Sequence, residues 1–340
     1  MIELKKDRLV FAFAEVHKDA ACGIEFQRTL RIPDDNRTYP LPPGIGKFPM
    51  EHVEDHATRL PQEWAGQGGV LLPMYQAEAL WIHFSASSGR WSRAAYPFAV
   101  KIAAGKIDAV TGGSWTNEIH QAPQDYLVIP DQPWLDGFCV QRGMIRQFVA
   151  MPLGQGYTAE EQLTGKGEHG GLQIIVYPMK RERYEELLRK REHGRDRAYS
   201  LSFEDTTLCA AAPSMGLAPG GLMRQEIYED HYGFDAWDTT VSSRCFIHIL
   251  NSRQWQNATG KAAPGKPPTA AQYSTAGLPW FDYYDETQSA LSGSDTLARL
   301  DSVAAKAVKK GEQPLPDNEA VNPKVVVTLG SPKHVSQGQW

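Results

Sequence analysis

His52 and His56 stand four residues apart in the stretch HVEDH. On a helix that spacing puts both imidazoles on one face, as a metal pair requires. A closed site needs further ligands, Glu54 and Asp55 would point elsewhere, and the HExxH pattern is absent. The alternative is two surface histidines. A second group lies at residues 226–238 (EIYEDHYGFDAWD), where His231 sits among carboxylates beside Tyr228 and Tyr232. His231 with Glu226, Asp230 or Asp235 could do acid–base work or hold a cation. The order fits neither an EF-hand loop nor a catalytic spacing, and a polar turn held by aromatic packing explains it as well.

Other motifs are weaker. The glycine-rich stretch 214–221 (SMGLAPGG) reads as a loop. It lacks the Lys-Ser/Thr pair of a phosphate loop and precedes a strand instead of a helix. No GxSxG is present, and Cys22, Cys139, Cys209 and Cys245 form no CxxC pair. Four scattered cysteines fit reduced, buried thiols in a cytoplasmic protein. The stretch PWFDYY presents Trp280, Phe281, Tyr283 and Tyr284, large aromatics of the kind that anchor interfaces or plug the end of a sheet. No cofactor is implied.

These residues must be positioned mainly by strands. The 340 residues are 41% hydrophobic and 22% charged, with nine tryptophans and 23 prolines. The block 69–110 is the densest source of strand. Residues 79–84 (ALWIHF) have strand composition, and 98–102 and 106–110 read as a hairpin across Gly105. Further strands are expected at 9–16, 23–32, 125–130, 144–151, 172–177, 199–212, 222–228 and 244–250. Residues 51–59 are expected as a short helix. Thr158 and Glu161 have capping-box form. Residues 182–193 read as a solvated, salt-bridged helix, and Ser294 caps a helix over 295–309.

Strands arrive in adjacent groups and are not alternated with helices. That predicts a mainly β protein: an antiparallel β-sandwich or jelly-roll-like body with a few peripheral helices. The body spans 1–292, with two packed sub-domains meeting near 180–200 as the alternative. A C-terminal helix follows at 293–310 and an extended tail at 311–340. A net charge of −5 argues against nucleic acid as partner. No apolar run reaches the length of a membrane span, and the N-terminus lacks a signal-peptide core.

Several longer phrases occur together: 26–35 (FQRTLRIPDD), 39–44 (YPLPPG), 72–76 (LPMYQ) with 78–81 (EALW), 146–154 (RQFVAMPLG) and 223–228 (MRQEIY). In these the chain resembles a family of uncharacterised proteins from bacteria and fungi. The resemblance spans most of residues 9–300. Some members carry the label "integral membrane protein", which implies a membrane location that the hydropathy contradicts. The family brings no activity or site.

Function follows from what is plentiful and what is missing. Catalytic sets are absent, while aromatic and Pro-rich segments abound. The expectation is a non-catalytic interaction or structural protein that associates with itself. The alternatives are a hydrolase or metal-assisted enzyme built on residues 226–238, and a β-sandwich that binds a carbohydrate or small ligand on aromatic platforms. The tail sharpens the first reading. Val325, Val326 and Val327 have strong β propensity between prolines and must pair with an existing sheet edge, with Trp340 as a terminal plug.

Overall fold

The computed structural model of the protein describes residues 1–87, 95–192, 214–283, 285 and 287–329. The strand expected at 199–212, Cys209, Tyr284 and Trp340 lie outside the described residues. Strand dominates, as the grouping of β-branched and aromatic runs requires. The first large sheet runs in the order Ile2–Leu4, Leu9–Ala12, Ala21–Thr29, Ala79–Ala86, Met144–Pro152, Met215–Arg224 and Thr38–Tyr39. The second runs Ile107–Asp108, Phe98–Ala104, Leu172–Pro178, Ser243–Leu250, Val70–Pro73 and Glu51–His52. The expected hairpin is present, with Ile107 opposite Ala104 and Gly105 at a φ of 59° in the turn. Leu172–Pro178 and Ser243–Leu250 pair side by side, so the second sheet continues across the stretch 180–200.

The two sheets share one core. Phe11, Ile24, Phe26, Ile82 and Phe148 of the first pack in the same cluster as Val100, Ile102, Ile174, Val176 and Ile247 of the second. Each such side chain contributes about 1.5–3 kcal/mol through its removal from water.

Purely antiparallel sheets do not form. Ser243–Leu250 runs parallel to Val70–Pro73, Met215–Arg224 parallel to Thr38–Tyr39, and Trp280–Tyr283 parallel to Val326–Leu329. Only tight hairpins impose antiparallel pairing. Each of these pairs joins segments distant in sequence, so no turn dictates their direction.

Three local expectations are also corrected. The first is the loop at 214–221, which belongs to the ten-residue strand Met215–Arg224, paired along Met144–Pro152. Its glycines serve close approach. A Cβ on Gly220 would lie 2.5 Å from Val149 Cγ2, and one on Gly221 would lie 2.4 Å from the Pro33 carbonyl oxygen. The second is the helix at 51–59. Glu51–His52 is a strand paired with Val70 and Leu71, and a 3-10 turn occupies Glu54–Arg59.

The third is the helix over 295–309, which divides into Asp295–Ala298 and Val303–Lys309. Ser294 caps the first half, as its position suggests. At the break the Asp301 N–H donates to Gln162 Oε1 at 2.9 Å and the Ala304 N–H to Asp34 Oδ2 at 2.7 Å. Those side chains take donors a continuous helix would use internally, and Ser302 caps the second half. The capping box at Thr158 and the basic helix Arg181–Glu192 are where the sequence places them, and Asn251 caps a further helix, Ser252–Thr259.

The terminal strand Val326–Leu329 docks on the chain's own Trp280–Tyr283 and makes a separate two-stranded sheet. Paired backbone hydrogen bonds between Leu41 and Phe281 tie this sheet to the segment beyond the first sheet's last strand.

The tight glycine contact gives a direct test. Gly221→Ala forces its new Cβ against a backbone carbonyl that cannot rotate away. The expected loss is about 1–3 kcal/mol in chemical denaturation. An unchanged midpoint would show that the strand shifts freely.

Candidate functional site

The cluster at 226–238 does not converge. The Asp230 carboxylate accepts from four donors: Tyr126 Oη at 2.6 Å, Trp237 Nε1 at 2.8 Å, and the backbone N–H groups of Tyr232 and Gly233 at 2.9 and 3.2 Å. Its lone pairs are committed to holding a turn. Burial, and then the Asp230 charge, push the Tyr126 hydroxyl well above its usual range. His231 is exposed against the Tyr232 ring, with centroids 4.1 Å apart. Asp235 is exposed and lies 4.0 Å from Arg183. Glu226 is engaged through its backbone carbonyl, which accepts from Gln132. This is the geometry of a structural turn.

The histidine pair is likewise apart. His52 is an exposed strand residue, while His56 lies in the 3-10 turn, 3.5 Å from Glu51 Oε2. Among the described residues no group of three or more His, Cys, Asp or Glu side chains is placed to hold a metal ion. The aromatic cluster divides. Trp280 is fully buried and donates to Ser274 Oγ at 3.2 Å. Phe281 and Tyr283 are half-buried, the latter 4.9 Å from the Trp134 ring. Val325, Val326 and Val327 remain 43%, 42% and 41% exposed.

A different site emerges on the second sheet, on the face opposite the shared core. Along Ser243–Leu250 the side chains of Cys245, Ile247 and Ile249 join the core, so Arg244, Phe246 and His248 face the other way. They form a ladder of planar groups. The Arg244 guanidinium lies 4.9 Å from the Phe246 ring centre. Phe246 and His248 are near-parallel at 6.2 Å, and His248 stacks on Trp64 at 4.6 Å. Burial lowers the His248 pKa, and its Nε2 lies 3.0 Å from the Gly68 carbonyl oxygen.

The loop 111–125 folds over the same face around Lys101. This ammonium is 1% exposed and donates to Asp125 Oδ2 at 2.8 Å, the Glu118 carbonyl at 2.7 Å and Thr116 Oγ1 at 3.0 Å. Asn117 Oδ1 then accepts from Trp115 Nε1 and from Arg244 Nη1, both at 3.1 Å, joining loop to sheet. The result is an open cleft of about 470 Å³ between the loop and the segments bearing Gln67 and His169, with Gln173, Phe246 and His248 among its lining residues. Its volume falls in the range of roughly 300–1,000 Å³ typical of ligand sites. The sequence analysis missed it. The available signal was the stretch RCFIHIL at 244–250, where an aromatic side chain alternates outward.

Two buried acids lie apart from the cleft lining. Burial raises Asp108 to about 7, although Thr111 donates to Oδ1 through its backbone and hydroxyl; Oδ2 has no partner. Burial raises Asp136 to about 7 as well, against a hydrogen bond from Gln225.

Two tests follow from these contacts. Replacing Asp230 by alanine strands the Tyr126 and Trp237 donors and should cost about 2–3 kcal/mol in urea unfolding, whereas His231→Ala should leave the midpoint unchanged. Equal effects would sink the structural assignment of the turn. The second test is pH. With folded values near 7 against 3.8 for a free aspartate, Asp108 and Asp136 keep protons that the unfolded chain releases. Stability must therefore fall as pH rises from about 4 through 7. Glu25, held near 2 by His83 and Lys47 despite its burial, opposes this below its ordinary 4.5. With Glu78 also raised to about 7 by its burial, the urea midpoint should peak near pH 4, and Asp108→Asn should flatten the decline toward pH 8.

Neither protein-family models nor curated proteins nor solved structures match this chain. Its function is argued from its own residues.

Proposed function

We propose that the chain is a non-catalytic interaction protein of the cytoplasm that self-associates through its terminal strand. The observation that carries this reading is the open edge of Val326–Leu329. Among the described residues this strand pairs only with Trp280–Tyr283, and Val325, Val326 and Val327 are each more than two-fifths exposed beside it. An apolar strand with a free row of backbone donors and acceptors is a template for another strand. A second copy of this chain offers the same edge, so pairing edge to edge satisfies both. The hydrolase alternative on Glu226, Asp230, His231 and Asp235 lacks support, since those groups do not meet.

Cytoplasmic residence is favoured by Cys22, Cys139 and Cys245, which are all buried and free of disulfides. Among the described residues no helix is long and apolar enough to cross a membrane. We further propose that the two large sheets pack as a sandwich-like body. We also propose, from the phrases quoted above, a kinship with the uncharacterised bacterial and fungal family that they resemble.

Light scattering tests the self-association. Val325→Lys with Val327→Lys puts two charges on the open edge while leaving the strand's backbone able to pair with Trp280–Tyr283. The expected outcome is an oligomer for the natural chain and a monomer for the variant, with melting temperatures within about 2 °C. A natural chain that runs as a monomer at high micromolar concentration overturns the proposal.

A further inference from the structure

We propose that the cleft between the loop 111–125 and the second sheet is a saccharide-binding site with a preference for acidic sugars. It shares no residue with the terminal strand and stands whether or not the chain self-associates.

Three features carry the inference. The cleft offers aromatic surface, since Trp115 on the loop and Phe246 on the sheet, its ring flanked by Arg244 and His248, both line it. A sugar ring presents an apolar C–H face that packs on such rings, with the polar indole N–H already committed to Asn117. Second, planar groups that make paired hydrogen bonds surround those rings. Gln173 is 3% exposed and held by the Gly105 carbonyl at 2.9 Å, so its amide is fixed before any ligand arrives. Asn117 and Arg244 are fixed to one another, and Arg244 keeps further guanidinium donors beyond that bond. Amide and guanidinium groups match the adjacent hydroxyls of a saccharide, and preorganisation lowers the entropy cost of binding.

Third, the charges are unequal. Lys106 and Arg244 line the cleft against Glu118 alone, among the described lining residues. A surplus cation favours a uronic acid over a neutral sugar. The proposal is of binding and not of cleavage. Glycoside cleavage ordinarily needs two carboxyl groups flanking the bond, and the described lining supplies one.

The experiment is calorimetric titration of the full chain with trigalacturonate, maltotriose and adenosine monophosphate. Trigalacturonate should bind, maltotriose should bind at least about tenfold more weakly, and the nucleotide should not compete. Phe246→Ala and Arg244→Gln should each weaken trigalacturonate binding by about tenfold. Val327→Lys, remote from the cleft, should leave it unchanged. Melting temperatures of the two cleft variants within about 3 °C of the natural chain exclude unfolding as the cause. Three outcomes overturn the proposal: no binding of trigalacturonate at millimolar concentration, equal affinity for maltotriose, or a Phe246→Ala variant that binds like the natural chain. Competition by the nucleotide would reassign the cleft to anionic aromatic ligands and overturn it as well.

Discussion

One buried cation organises the second sheet's outer face. Lys101 is almost wholly removed from water, and an isolated ammonium there would be unfavourable by several kcal/mol. It is tolerated because Asp125 neutralises it and two further oxygens complete its donors. All three partners come from the loop 111–125. The loop therefore cannot leave the sheet without stranding a charge. Its docking sets Trp115 5.5 Å from the ammonium and carries Asn117 to Arg244. The loop side of the cleft, with Trp115 and Asn117, is set by that requirement. His120 adds to the clamp by placing its Nδ1 2.7 Å from Asp125 Oδ2.

A comparable ion pair stabilises the other sheet. Arg28 Nε donates to Glu78 Oε1 at 2.8 Å, with both side chains buried. Arg28 lies opposite Leu80 in the pairing of Ala21–Thr29 with Ala79–Ala86, and Glu78 immediately precedes that second strand. Glu78 also accepts from the Tyr75 N–H, and Arg28 reaches the Gly265 carbonyl. The pair thus ties the long 261–269 connection to the sheet. In both places removing one partner would leave an uncompensated buried charge, which is strongly destabilising.

The terminal segment shows how weak local structure becomes fixed by pairing. A single apolar strand has no stability of its own. Trp280–Tyr283 supplies the ladder, and Trp280 beneath it is wholly buried against Tyr39 and Tyr273. The strand's inner edge is satisfied by the fold. Its outer edge pairs with no other strand among the described residues.

Much of the fold was legible in the residues themselves. Runs of β-branched, aromatic and other apolar residues marked strands at 79–84, 98–102, 144–151, 172–177 and 244–250. The structure has strands at Ala79–Ala86, Phe98–Ala104, Met144–Pro152, Leu172–Pro178 and Ser243–Leu250, of which Phe98–Ala104 and Leu172–Pro178 are buried throughout. Caps at Thr158 and Ser294 were equally plain, since each depends on one side chain and the next turn of backbone. What tertiary structure decided was everything set by distant partners. Gly216, Gly220 and Gly221 look like a loop until the strand pairs along Met144–Pro152 and Thr158, Val149 and the Pro33 carbonyl respectively leave no room for a Cβ. Residues 295–309 look like one helix until Gln162 and Asp34 capture its N–H groups. His231, Asp230 and Asp235 are neighbours in sequence, yet hydrogen bonds from Tyr126 and Trp237 turn them apart. The cleft joins residues as far apart as 67 and 248, so no local pattern could announce it. The pairing of Ser243–Leu250 with Val70–Pro73 brings 248 beside 67, and the Lys101 clamp holds the loop over them.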